Sequence, residues 1–66
     1  MSRNLVDEAL RQIDEWLKAT GTPEYRLGLM ACANARAVDR VRNGTARIES
    51  LRQILDHIER NPANGN

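Results

Sequence analysis

An all-α fold of four short helices follows from three features of these 66 residues. Apolar residues recur at three- and four-residue steps along the whole chain, and no stretch alternates apolar with polar residues as a half-buried strand does. Gly21, Asn43-Gly44 and Asn61-Pro62 fall where helices stop, while Thr22-Pro23 and Asn34 fall where helices start. Apolar residues make up 41% of the chain, with 3% aromatic and no Phe. That is enough for one compact core, and the core must be aliphatic, built from Leu, Ile, Val and Ala. The length allows one small domain, expected over residues 1–60, with 61–66 as a frayed tail.

The first helix is expected from about residue 4 to residue 20, on the stripe Leu5, Ala9, Ile13, Trp16 and Leu17. Asn4 or Ser2 caps its start, and Asp7 and Glu8 sit in the first turn, where the helix dipole favours carboxylates. Val6, Leu10 and Leu17 widen the stripe beyond what one core face needs. In the second helix Thr22 is the expected N-cap, Pro23 the first helical residue and Glu24 the second, with the helix running to about Ala31. Gly28 lies inside it at a cost of about 1 kcal/mol relative to Ala, so close approach of another helix is the expected reason for it. After a break at Cys32-Ala33-Asn34, Asn34 caps a third helix, Ala35 to Asn43, which Gly44 ends in a left-handed conformation. A fourth, about Ile48 to Arg60, carries Ile48, Leu51, Ile54, Leu55 and Ile58 at helical spacing.

The net charge of +1 conceals an uneven distribution. Residues 1–25 carry a net −2, residues 26–47 a net +4 and residues 48–66 a net −1. The basic block consists of Arg26, Arg36, Arg40, Arg42 and Arg47 against Asp39 alone, with no lysine. Arginine's planar donor fork suits phosphate and the guanine edge. With Val38 and Val41 turned inward, Arg36 and Asn43 point directly away from the core, and Asp39 and Arg40 lie about 130° from its centre. Ala35, Ala37 and Arg42 fall on the flanks. A slim, polar, arginine-bearing helix fits a groove about 12 Å wide, which bulky flanks would prevent. Asp39 repels phosphate; it fits either a contact with a cytosine amino group or a role in orienting Arg36 or Arg40.

The residues Leu27-Gly28, Cys32-Ala33, the run Val38-Asp39-Arg40-Val41-Arg42-Asn43-Gly44, and then Ile48-Glu49-Ser50-Leu51 with Ile54, resemble the Cro/lambda-repressor-like (Xre-type) helix-turn-helix family over about residues 22–58. The segment Arg26-Leu27-Gly28-Leu29-Met30-Ala31 is also similar to a pattern in short phage-like regulators. Cys32 stands where the family's turn usually holds Gly, and Leu29 where it usually holds a polar residue. Leu29 is therefore expected to be covered by the first helix or by a partner. The resemblance implies a small four-helix, lambda-repressor-like domain that binds double-stranded DNA by inserting the third helix into the major groove. It places Asn34, Ala35, Arg36 and Arg40 at base edges, with Asp39 on the same face. Asn43, Thr45 and Arg47 would meet phosphates, joined by Thr22 and the N-terminus of the second helix and by Arg26.

Two modules on a palindrome double the contacts, so a homodimer is expected, formed through the first-helix stripe Val6, Leu10 and Leu17 with Leu29, or through the fourth helix. The alternative is a helical protein-interaction module, antitoxin-like or anti-regulator, in which the arginines meet a partner's acids. An enzyme is not expected. Cys32 and His57 lack metal or catalytic spacing, Trp16 reads as a core anchor, and the domain is too small for a deep small-molecule pocket, so no metal, cofactor or small ligand is expected. One cysteine, no long apolar run and early acids suggest a soluble, cytoplasmic protein that does not enter a membrane.

Overall fold

The computed structural model describes residues 5–63, which form four helices: α1 (Leu5–Thr20), α2 (Glu24–Cys32), α3 (Ala37–Asn43) and α4 (Ile48–Arg60). The caps expected of Asn4 or Ser2 lie outside the described residues. The core is aliphatic apart from Trp16. Its four fully buried large side chains are Ile13, Leu27, Val38 and Ile54, one from each helix. Ala9, Trp16, Ala37, Val41 and Leu51 complete it, and no polar or charged side chain is buried among the described residues. α2 packs mainly on α4 and α3, and α1 mainly on α4. Val6, Leu10 and Leu17 are partly buried and pack against this core. Leu29 is 48% exposed, so α1 does not cover it.

Leu5 and Ile48 depart from the expected stripes, being 79% and 69% exposed. Each is the first residue of its helix and lies at the edge of the stripe, so the neighbouring helices do not reach it. Trp16 is the expected anchor. Its ring is buried, its Nε1–H donates to the Asn61 carbonyl at 2.7 Å, and it makes a T-shaped contact with the His57 ring at a centroid distance of 5.9 Å. The chain past α4, expected to fray, is held at its start by that hydrogen bond and by Ala63, which packs on the core.

The turns differ from expectation in three ways. Thr22 does not cap α2. Pro23 takes an extended ψ of 152° and occupies the N-cap position, which leaves Thr22 one residue too far out; its hydroxyl accepts from Thr20 Oγ1 at 2.8 Å instead. The turn after α2 is left-handed at Ala33, φ 57°, one residue past Cys32, the position where the resemblance places the family's Gly. The Ala33 N–H closes onto the Gly28 and Leu29 carbonyls, extending α2 one residue past the expected end at Ala31. α3 begins at Ala37, two residues late. The Asn34 side chain accepts from the Arg36 N–H at 2.9 Å and its carbonyl from the Ala37 N–H at 3.0 Å, so Ala35 and Arg36 belong to a turn. Ala37, expected on the flank, is buried in the core at 2% exposure.

Gly28 has the steric role expected of it, but its neighbour is a loop, not a helix. A Cβ at Gly28 would stand 2.3 Å from the Asn34 carbonyl oxygen, and the Gly28 carbonyl accepts the Asn34 N–H at 3.2 Å. The turn into α3 is thus seated on bare α2 backbone. At the other end of α3, Gly44 is left-handed at φ 75°, and its N–H reaches the Arg40 and Val41 carbonyls.

Candidate nucleic-acid interface

The short α3 rests on Ala37, Val38 and Val41 and turns Asp39, Arg40 and Asn43 to solvent, with Arg36 exposed at its N-cap. Two buried valines three residues apart fix the helix rotation, which is why the polar residues between them share the opposite face. Asp39 does not orient an arginine. It accepts from Asn43 Nδ2 at 3.3 Å, one helical turn along the same face, which leaves Arg36 and Arg40 without an ion pair among the described residues.

Arg42, on the flank of α3, behaves differently from the rest of the basic block. Its guanidinium donates to both Asp14 carboxylate oxygens, and its Nε and Nη2 meet Glu24 Oε2 at 3.1 and 2.9 Å. Hydrogen bonds to Asp14, then to Glu24, hold its pKa above the ordinary arginine value. Arg42 therefore ties α3 to α1 and to the first turn of α2, and its charge is spent on two carboxylates. The basic character of the surface rests on the other four arginines, Arg26, Arg36, Arg40 and Arg47, all exposed.

Three of the expected contact residues join Arg40 in one place. The Arg40 carbonyl accepts from the Thr45 N–H at 2.9 Å, the Ala46 N–H at 3.2 Å and the Thr45 hydroxyl at 3.4 Å, folding the loop after α3 back along the helix. Arg47 then takes the N-cap position of α4. A cleft of about 220 Å³ opens at this junction, lined by Asn34, Arg40, Thr45, Arg47 and Ser50 over a floor that includes Ala37. It contains two guanidinium groups and no carboxylate. Ser50 was missed in the sequence. Only the α4 rotation, with Leu51 and Ile54 inward, turns it toward α3.

Ala35, Arg36, Asp39 and Asn43 are exposed and border this cleft along the chain without lining it. Thr22 is half-buried beside Thr20, and Arg26 lies on α2 among Tyr25, Leu29 and Met30; neither joins the cleft. A larger open depression of about 1070 Å³ runs along α4 and includes Gln12 of α1. Its lining mixes Arg47 and Arg52 with Glu49, Asp56 and Glu59, so it has no single-sign field.

Cys32 is half-buried with its thiol at 3.5 Å from the Ser50 carbonyl, and burial pushes its pKa up. No group of three metal-ligating side chains occurs among the described residues. Among the described residues no helix is long and apolar enough to cross a membrane. Comparison with protein-family models, with curated proteins and with solved structures returned no match.

Proposed function

We propose that the protein is a sequence-specific double-stranded DNA-binding regulator that presents α3 to the major groove and seats backbone phosphate against Arg47 at the α3–α4 junction. The observation that carries this reading is the sorting of charge around α3. Arg42 is paired with Asp14 and Glu24 on the flank, while Arg36, Arg40 and Arg47 are exposed on the outer side and in the cleft with no ion pair among the described residues. Arg36 and Arg40 are assigned to base edges, where each good bidentate contact contributes about 1–3 kcal/mol of discrimination. Asn34, Thr45, Arg47 and Ser50 are assigned to the backbone. Asp39 lies on the same face and accepts from Asn43, which is assigned to the backbone with Thr45 and Arg47.

Selection of bound sequences from a random duplex pool, followed by titration of Arg36→Ala and Arg40→Ala, tests the assignment. Both variants should lose specific binding while keeping helicity, because neither side chain supports the core. Affinity should also fall steeply with salt, with a slope of about −0.9 per phosphate neutralised. Unchanged specific binding in both variants would refute it. The exposed apolar residues of α2 favour a second reading, a helical protein-interaction module, and that reading predicts no retained duplex even at low salt.

A further inference from the structure

The cleft at the α3–α4 junction collects hydrogen-bond donors and no anion. Arg40 and Arg47 bring guanidinium groups, Thr45 and Ser50 bring hydroxyls, and Asn34 brings its amide. Asn34 Oδ1 already accepts from the Arg36 N–H, which leaves the amide nitrogen to donate. Ala37 and Ala46 complete the lining with methyl groups. Neither arginine has an ion pair among the described residues. No side chain caps α4, so the positive end of that thirteen-residue helix adds to the same field.

We propose that this cleft binds a terminal phosphate group, the monoester dianion of a ligand other than duplex DNA. Charge and shape favour a monoester over the diester of a nucleic-acid backbone. Two permanent positive charges match a dianion. Three terminal oxygens also engage the five donor side chains more fully than the two free oxygens of a diester do. A diester needs two exits, one for each ester oxygen, whereas a terminal phosphate enters end-on through one. The cleft is a concavity of about 220 Å³, more enclosed than the open depression along α4. A volume that small holds the phosphate and leaves the rest of the ligand in solvent, so no deep small-molecule pocket is required.

A phosphate monoester gives up its second proton with a pKa of about 6, so the dianion disappears as pH falls through that value. The lining has no group that titrates there, since arginine stays charged. Asp39 of α3, Glu49, Asp56, His57 and Glu59 of α4, and Cys32 of α2 do not line the cleft. Arg40 cannot serve a base edge and a cleft phosphate together. The ligand therefore competes with the duplex, a consequence that rests on the DNA reading, whereas phosphate binding itself needs no DNA.

Amide chemical-shift titration of the full chain at constant ionic strength, without DNA, tests the site. Glycerol phosphate and a dinucleotide with a terminal phosphate are the probes, with glycerol and dimethyl phosphate as controls. Both probes should give saturable shifts at residues 34, 40, 45, 47 and 50, with a dissociation constant of about 1 mM for two exposed guanidinium groups. Tighter binding of glycerol phosphate assigns a small-molecule ligand, tighter binding of the dinucleotide a strand end, and equal binding the phosphate group alone. Affinity should drop about 3-fold from about pH 7.5 to about pH 5.5. Arg40→Ala and Arg47→Ala should each weaken binding at least about 3-fold, while Arg52→Ala, which removes the same charge outside the cleft, should not. Any of four results overturns the proposal: no saturable shift by about 20 mM, shifts centred on Arg26 or Arg52, dimethyl phosphate binding as well as glycerol phosphate, or a folded Arg47→Ala of unchanged affinity.

Discussion

Replacing Gly28 by alanine tests how the turn before α3 is built. Helix propensity alone predicts a gain of about 1 kcal/mol, since Gly28 lies in the interior of α2. The structure predicts the opposite. The new methyl would stand 2.3 Å from the Asn34 carbonyl oxygen, a main-chain atom with no flexible side chain to swing away. Restoring contact distance means moving the turn by about 1 Å, at an overpacking cost of about 1–3 kcal/mol. The same shift lengthens the Asn34 N–H to Gly28 carbonyl bond, now 3.2 Å, whose loss costs about 1 kcal/mol. Set against the propensity gain, the net effect is a destabilisation of about 1–3 kcal/mol, or about 5–20 °C in melting temperature for a domain of this size. Urea denaturation followed by Trp16 fluorescence measures it, because Trp16 is the only tryptophan and is buried. A variant as stable as the wild type, or more stable, would refute the close approach on which the position of α3 depends.

Ala33→Gly should stabilise the domain by about 1 kcal/mol, read in the same denaturation assay, because Ala33 is left-handed at φ 57° and a Cβ is unfavourable there. Arg42→Met should cost no more than about 1 kcal/mol, since the ion pairs to Asp14 and Glu24 are partly exposed. That cost should shrink in 1 M salt, and equal losses at low and high salt would contradict a mainly electrostatic clamp. Cys32 should react slowly with a thiol reagent at pH 8. Burial raises its pKa, so the reactive thiolate is scarcer than in the unfolded chain and should rise as pH climbs above the ordinary thiol value. Folded protein reacting as fast as urea-unfolded protein would contradict the burial.

The features readable from sequence were those fixed by contacts within one helix. Val38 and Val41 set the rotation of α3, so the exposure of Asp39, Arg40 and Asn43 followed from spacing, whereas Arg36 is exposed from the turn before the helix. α4 was legible in extent for the same reason, and Gly44 as its predecessor's left-handed stop. What was not legible depended on assembly. Whether Cys32 or Ala33 takes the left-handed angle is decided by how α2 must turn to seat Asn34 on Gly28. Asn34 looks like an N-cap from its neighbours, but its bond to the Arg36 N–H forms a turn that delays α3 until Ala37 can enter the core. Arg42 resembles the other arginines until α1 and α2 bring Asp14 and Glu24 beside it. Ser50 joins the cleft only because α4 packs against that end of α3. In each case the deciding contact lies across elements, where local periodicity carries no information.

The central claim, that the exposed side of α3 and the adjoining cleft form a DNA-binding surface, is tested most directly by amide chemical-shift mapping with a selected duplex at low salt. The account predicts perturbations at Arg36, Arg40, Asn43, Thr45, Arg47 and Ser50, all lost as salt is raised. Perturbations confined to the mixed-charge depression along α4, or none anywhere, would contradict it.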